Sequence, residues 1–115
     1  LGRAMFRFAV TADRENDRYA RQLASSAGVA VFFANTADPQ GWVAVGRACQ
    51  RFQLQATALG VRSAYVNQPV EVPALRSPLA SVVGRPGQRP DLVLRFGKAS
   101  LLPYSLRRPV EEVLA

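Results

Sequence analysis

The stretch from Asp38 to Gly60 constrains the fold of this chain more than any other part of its sequence. Asp38 can cap a helix, and Pro39 suits the first helical position because its φ is preset and it has no N–H to leave unpaired. Apolar side chains then recur at gaps of three and four residues: Trp42, Val45, Cys49, Phe52, Ala56 and Leu59. This spacing places them on one helical face, which Leu54 widens. Gly60 supplies the left-handed position that ends many helices. We predict one long helix, buried in the core or against a second chain.

Three shorter apolar runs have the length and composition of β-strands. The predicted strands are Val29–Ala34, Val61–Val66 and Leu92–Phe96. The first is apolar without alternation, which is typical of a strand covered on both faces. Other predicted elements are a strand or helix tail over Ala4–Val10, a helix from Thr11 or Asp13 to Ala27, two helical pieces over Val72–Val83 interrupted at Pro78, and a final turn over Pro109–Leu114. This alternation favours helices on both faces of a small sheet with open edges.

Length and composition favour a single folded domain over residues 1–115. A chain of 115 residues, 49% apolar and 20% charged, can bury one modest core and is not typical of a disordered protein. No apolar run approaches the roughly 20 residues needed to cross a bilayer, and the first ten residues lack the pattern of a signal peptide. We therefore expect no membrane segment and a cytoplasmic location. With one cysteine and no histidine, the chain cannot form an internal disulfide, a His-based triad or a Cys/His metal cluster.

The net charge of +7 comes from fourteen arginines and Lys98 against eight acids. The excess lies in residues 41–115, which hold ten basic and four acidic residues. Arginine forks match phosphate and carboxylate groups, so nucleic acid is a rival partner. The basic residues are scattered along the sequence instead of clustering on one predicted face, which makes nucleic-acid binding unlikely. Arg76 and Arg95 fit structural roles better than functional ones.

Four blocks of sequence occur in a characteristic order: VAVFFANTADPQGWVAVG, then GWVAVGRACQRFQLQATALGVRSAYVNQPVEVPALR, then RPDLVLRFG, then SLRRPVEEVL. Together they resemble the C-terminal half of nitroreductase-like flavoproteins, most closely the Acg-type branch of that family. The resemblance implies an α+β fold with a mixed sheet between helix layers, present here as a half-domain. It also implies that the helix over Gly41–Leu59 lies at the centre of a subunit interface, so we expect a homodimer.

The same resemblance implies a set of FMN-binding residues. Asn67, Gln68 and Pro69 take the place of the stretch beside the flavin ring, where backbone groups can hydrogen-bond near N5. Arg107 and Arg108 take the place of the basic pair that approaches the FMN phosphate, and a guanidinium fork suits that group. The alternatives are a simple polar strand exit at residues 67–69 and a solvated arginine pair bonded to Glu111 and Glu112.

One family feature is missing from this sequence. The family also holds the phosphate with an N-terminal motif of basic and hydroxyl residues, which the stretch up to Arg7 does not show. The missing part belongs to a longer protein, comes from a second copy, or has been lost. The sequence thus predicts an oxidoreductase module that passes electrons from NAD(P)H through FMN to an aromatic, nitro or quinone acceptor, with no catalytic side chain of its own. The alternative is a non-catalytic domain for flavin binding or dimerisation.

Overall fold

The structure is a computed structural model that describes residues 12–114. Its helices are α1 (Ala12–Ala24), α2 (Pro39–Ala58), α3 (Gln68–Glu71), α4 (Pro73–Val82) and α5 (Val110–Val113). Its strands are β1 (Gly28–Phe33), β2 (Arg62–Tyr65) and β3 (Pro90–Gly97). The predicted α+β class is confirmed. The predicted element over Ala4–Val10 and the possible cap at Thr11 lie outside the described residues.

The three strands form one sheet in the order β1-β3-β2. Both neighbouring pairs are antiparallel, so the described sheet is antiparallel and not mixed as expected. Strand β1 pairs Ala30 with Leu94, and β2 pairs Tyr65 with that same leucine. Because side chains alternate between faces, this register determines which residues of the three strands share a face.

Helix α2 covers one face of the sheet. Its N-terminus forms as predicted, because the Asp38 carboxylate accepts a hydrogen bond from the Gly41 N–H at 2.7 Å. The residues that the helix buries are Gly41, Val45, Cys49 and Ala56. Phe52 lies between them and packs edge-on against two rings of the sheet, with centroids 5.9 Å from Phe32 and 5.5 Å from Phe96. The predicted core face is therefore confirmed along the middle of the helix.

The apolar stripe of α2 is wider than the face that the sheet covers. Trp42, Leu54 and Leu59 are exposed, although the sequence predicts them to be buried. With 3.6 residues per turn, Leu54 lies on the side of the helix that faces away from the sheet, whereas Trp42 and Leu59 flank the sheet-facing side near its two ends. A sheet of three strands is too narrow to cover these flanking positions.

Cys49 is buried in the contact between α2 and the sheet, as expected for a small hydrophobic residue. Its Sγ lies 3.7 Å from the Oη of Tyr65 on β2. The hydrogen bond with Cys49 and burial together raise the pKa of the Tyr65 hydroxyl. The pair links the helix to an edge strand of the sheet.

The opposite face of the sheet is covered over only part of its length. There Val66, Val70 and Val93 form a buried cluster, against which Tyr19, Val31 and Leu79 pack. These residues bring α1, α3 and α4 to that face, so helices lie on both sides of the sheet as predicted. Towards the other end of the strands, Val29 is exposed. This uncovered end of the sheet carries the site described below.

Two local expectations are wrong. Pro78 was expected to interrupt the helical segment after residue 72, but α4 continues through it. The missing N–H removes one helical hydrogen bond, while the packing of Leu79 and Ala80 after the proline favours continuation. The apolar run at residues 29–34 was expected to be covered on both faces, yet β1 is an edge strand with a partly exposed face.

The cap of α2 predicts a dependence of stability on pH. The Gly41 N–H and the Thr36 hydroxyl lower the pKa of Asp38 below its ordinary value of 3.8. Because the folded-state pKa is the lower one, the carboxylate stabilises the fold above about pH 4, and this contribution is lost as pH falls through the folded-state value. We expect Asp38→Asn, whose side chain still accepts a hydrogen bond, to show a smaller loss of stability than the wild type between about pH 5 and pH 2. Urea denaturation at several pH values in that range measures the free energy of unfolding of both proteins. An identical dependence of this free energy on pH in the two proteins would contradict the prediction.

Candidate functional site

Asn67 lies where strand β2 ends, and its side chain is held by the central strand. The Asn67 Oδ1 accepts a hydrogen bond from the Val93 N–H at 2.9 Å. Its backbone carbonyl accepts bonds from the N–H groups of Val70 and Glu71, both at 2.9 Å. Asn67 therefore has a structural function, because it fixes the strand exit on β3 and closes the first turn of α3.

The backbone donors of this strand exit are unpaired among residues 12–114. Val66 donates its N–H to Val93, but the N–H groups of Asn67 and Gln68 have no acceptor in the described part of the chain. Gln68 and Pro69 are half-buried. The stretch thus combines a fixed backbone with two donors that no described residue pairs, as is usual at the first positions of a helix.

Arg107 and Arg108 lie in a different environment from Asn67. They belong to the extended segment 98–109 and are exposed. Both precede α5, which begins at Val110, so the helical i, i+4 pairing with Glu111 and Glu112 does not form. The ion pair found among the described residues is Arg89 with Asp91. No described hydrogen bond or ion pair joins the two arginines to residues 67–69.

A basic cleft occupies the uncovered end of the sheet, with a volume of about 630 Å³. Its wall is formed by the turn after α1, the start of β2, the end of β3 and the segment that follows β3. Its residues are Ser25, Ser26, Arg62, Ser63, Ala64, Arg95, Phe96, Gly97, Lys98, Ala99, Ser100, Leu101 and Leu102. This set contains three cationic residues and no acidic one.

The register of β2 and β3 brings Arg62 and Arg95 to the same part of the cleft. Ala64 pairs with Arg95, and Arg62 pairs with Gly97, so the two arginines are diagonal neighbours on the face opposite α2. Gly97, the partner of Arg62 in the register, lies close to the turn after α1. A Cβ at Gly97 would lie 3.1 Å from the backbone nitrogen of Ala27, which shows how closely the turn after α1 approaches the sheet.

Neither arginine of the cleft has a partner among residues 12–114. The Nε atoms of Arg62 and Arg95 are buried, and no described residue accepts a hydrogen bond from them. Among the described residues, none of the four serine hydroxyls of the cleft wall accepts a hydrogen bond from either arginine, and Ser25 and Ser26 donate to the Gln22 carbonyl. A buried donor without an acceptor costs about 1–3 kcal/mol, and more when it is charged. The cleft therefore contains two buried hydrogen-bond donors that no described residue pairs and that are available to a ligand.

The sequence did not reveal this cleft. Arg76 matches its expected structural role, because its Nε donates to the Val70 carbonyl at 2.6 Å. A structural role is also expected for Arg95, but its side chain makes no hydrogen bond among the described residues. The available signal was an arginine within each of two apolar strand-like runs, Val61–Val66 and Leu92–Phe96. That signal becomes specific only once the register shows that both side chains face the same side.

Comparison with protein-family models, with curated proteins and with solved structures found no match to this chain. In the part of the chain that the structure describes, no three metal-binding side chains are grouped closely enough to hold an ion. Among the same residues, none of the helices has both the length and the apolar character required to cross a bilayer. Any functional assignment must therefore depend on the sequence resemblance and on the geometry of the residues themselves.

Proposed function

We propose that this chain is an FMN-binding module of the nitroreductase-like type. The proposal depends on the four ordered sequence blocks. Asn67, Gln68 and Pro69 would lie beside the flavin ring, and Arg107 and Arg108 would bind the phosphate. When bound, FMN supplies electron transfer from NAD(P)H to an aromatic, nitro or quinone acceptor. The protein residues bind and orient the cofactor.

The observation that carries the proposal is the pair of unpaired backbone donors at Asn67 and Gln68. A flavin N5 is a hydrogen-bond acceptor when oxidised, and it needs a donor held at a fixed position. The bond from Val93 to Asn67 Oδ1 holds this backbone in place. Preorganised donors bind more tightly than mobile ones because less conformational entropy is lost on binding. The residues at this strand exit therefore fit the cofactor.

Arg107 and Arg108 fit the phosphate group by chemistry and by exposure. They are exposed and unpaired within residues 12–114, so their guanidinium groups are available to a ligand. They also lie on an extended segment without a fixed environment, and a second copy of the chain can provide one. We include a homodimer in the proposal, with the outer surface of α2 around Leu54, on the side away from the sheet, as its contact.

The second candidate function is a domain that binds flavin without turnover or serves only in dimerisation. It is favoured by the resemblance, which assigns cofactor-binding residues to this chain but no catalytic side chain. Oxidation of NADPH in the presence of FMN and a nitroaromatic compound separates the two functions. Turnover supports the oxidoreductase, whereas bound flavin without turnover supports the non-catalytic domain.

Titration of the chain with FMN, followed by flavin fluorescence and visible absorbance, tests the proposal. We expect saturable binding, weakened at least about tenfold in Arg107→Ala/Arg108→Ala because each charge-assisted bond contributes about 1.5–3 kcal/mol. The matched control is Arg47→Ala/Arg51→Ala, which removes the same charge from exposed positions of α2 and should leave the affinity within about twofold. Absence of saturation up to about 1 mM FMN, or equal weakening in both variants, would refute the proposal.

A further inference from the structure

We propose that the basic cleft is a second binding site, specific for the phosphate group of a small organic phosphate. The site is formed by Arg62, Arg95 and Lys98, and it is separate from the strand exit at Asn67 that is proposed to contact the flavin ring. Arg62 begins β2 and Asn67 follows its end, so at about 3.3 Å per residue they are about 16 Å apart along the strand. A phosphate bound between the two cleft arginines therefore does not contact the strand exit.

The charge of the cleft indicates an anionic ligand. Its three cationic residues have no acidic residue among the cleft-lining set to neutralise them. The Nε–H of each guanidinium group is buried and needs an acceptor, but none is found among residues 12–114. A bound oxyanion would satisfy both donors and neutralise the local charge, and no other group among residues 12–114 does so.

The number of donors favours phosphate over carboxylate. A guanidinium fork donates two parallel hydrogen bonds, and one fork already engages both oxygens of a carboxylate, which carries a single negative charge. Arg62 and Arg95 provide two forks from neighbouring strands, and Lys98 adds a third positive charge. A phosphate monoester carries three acceptor oxygens and a charge of about −1.5 to −2 near pH 7, so it matches this set more completely.

The rest of the cleft wall favours an organic group attached to the phosphate. Ala64, Ala99, Leu101 and Leu102 provide apolar surface beside the arginines. The volume of about 630 Å³ lies within the range of about 300–1,000 Å³ that is typical of small-molecule sites. It is larger than inorganic phosphate alone requires. The chemical class is therefore a phosphate monoester with an apolar or aromatic substituent.

The test is an NMR titration of the purified chain with phenyl phosphate at constant ionic strength, following the arginine Nε–Hε resonances. We expect saturable shifts at Arg62 and Arg95 with a Kd below about 1 mM. Benzoate, which carries a carboxylate on the same ring, should bind at least about tenfold more weakly. Phenol, which has no charge at neutral pH, should cause no saturable shift.

Three variants assign the binding to the cleft. Arg62→Gln and Arg95→Gln should each weaken binding of phenyl phosphate at least about tenfold, and Arg95→Lys should also weaken it because lysine keeps the charge but loses the fork. Arg47→Ala/Arg51→Ala, which removes charge from exposed positions of α2, should leave this binding within about twofold. The melting temperature of Arg95→Gln should equal or exceed that of the wild type, because an unpaired charged donor is removed.

Several results would overturn this proposal. These are the absence of saturable shifts up to about 10 mM phenyl phosphate, equal affinity for benzoate, or unchanged binding in both glutamine variants. If Arg95→Gln fails to fold, Arg62→Lys, at the other end of the diagonal pair, provides the independent measurement. It should weaken binding at least about tenfold because lysine loses the fork, and unchanged binding would overturn the proposal. Binding of FMN with no binding of phenyl phosphate would support the proposed function and reject this second site.

Discussion

Replacement of Phe52 by aspartate is expected to unfold most of the chain. The ring of Phe52 packs edge-on against Phe32 and Phe96, at centroid distances of 5.9 Å and 5.5 Å. Removing a packed phenylalanine costs about 3–5 kcal/mol, and an unpaired carboxylate between two rings adds a desolvation penalty. Small domains are stable by only about 5–15 kcal/mol. Circular dichroism during urea denaturation measures the loss.

Leu54→Asp is the matched control for Phe52→Asp. It introduces the same charge two residues further along α2, at a side chain that is 64% exposed. Substitutions at such surfaces usually change stability by less than about 0.5 kcal/mol. A large loss of stability in Leu54→Asp, or none in Phe52→Asp, would show that the face of α2 against the sheet has been assigned incorrectly.

The same control variant tests the proposed homodimer. If the outer surface of α2 is the contact between two copies, Leu54→Asp should reduce the mass measured by light scattering from dimer to monomer while the fold persists, because it buries a charge in an apolar interface. A monomeric wild type at micromolar concentration would refute the dimer. A dimer that Leu54→Asp does not affect would place the contact elsewhere.

Gly41→Ala is the second substitution expected to have a large effect. A Cβ at Gly41 would collide with the backbone carbonyl oxygen of Thr36 and would lie 2.8 Å from its Oγ1. Backbone cannot rotate away as a side chain can, so the segment before α2 must move and the Asp38 cap is disturbed. Overpacking typically costs 1–3 kcal/mol and loss of a cap 0.5–2 kcal/mol, so we expect a loss of about 2–4 kcal/mol.

Gly46→Ala, in the same helix, should have the opposite effect. No atom lies within 4 Å of a Cβ at this position. Alanine restricts the unfolded chain more than glycine does and suits a helix better, so we expect stabilisation by about 0.5–1 kcal/mol. Thermal or urea denaturation of both variants measures the difference. If both substitutions change the stability in the same direction, the close approach between Gly41 and Thr36 is not present in solution.

The two proposed sites lie at opposite ends of strand β2. Asn67 and Gln68 lie at the carboxyl end of β2, where the hydrogen bond from Val93 fixes the backbone. Arg62 lies at the start of the same strand, where helices leave the sheet uncovered. Binding at either site should stabilise the folded state, because a ligand that binds only that state shifts the unfolding equilibrium.

Local signals in the sequence were sufficient to predict most elements of this protein. Asp38, Pro39 and Gly60 mark the ends of α2 because capping and left-handed geometry depend on adjacent residues alone. The three strands were found near their predicted positions for the same reason, since β-branched and aromatic runs are local features. The burial of Cys49 also followed from its position on the helical stripe.

Tertiary structure alone decided how much of each apolar stripe is covered and which distant residues meet. The width of the sheet determines that Phe52 is packed while Trp42, at the edge of the predicted stripe, is exposed. Arg62 and Arg95 are 33 positions apart in the chain, and only the pairing of β2 with β3 makes them neighbours in one cleft. Strand register depends on contacts that no local sequence pattern specifies, because a shift by one residue would turn either arginine to the other face.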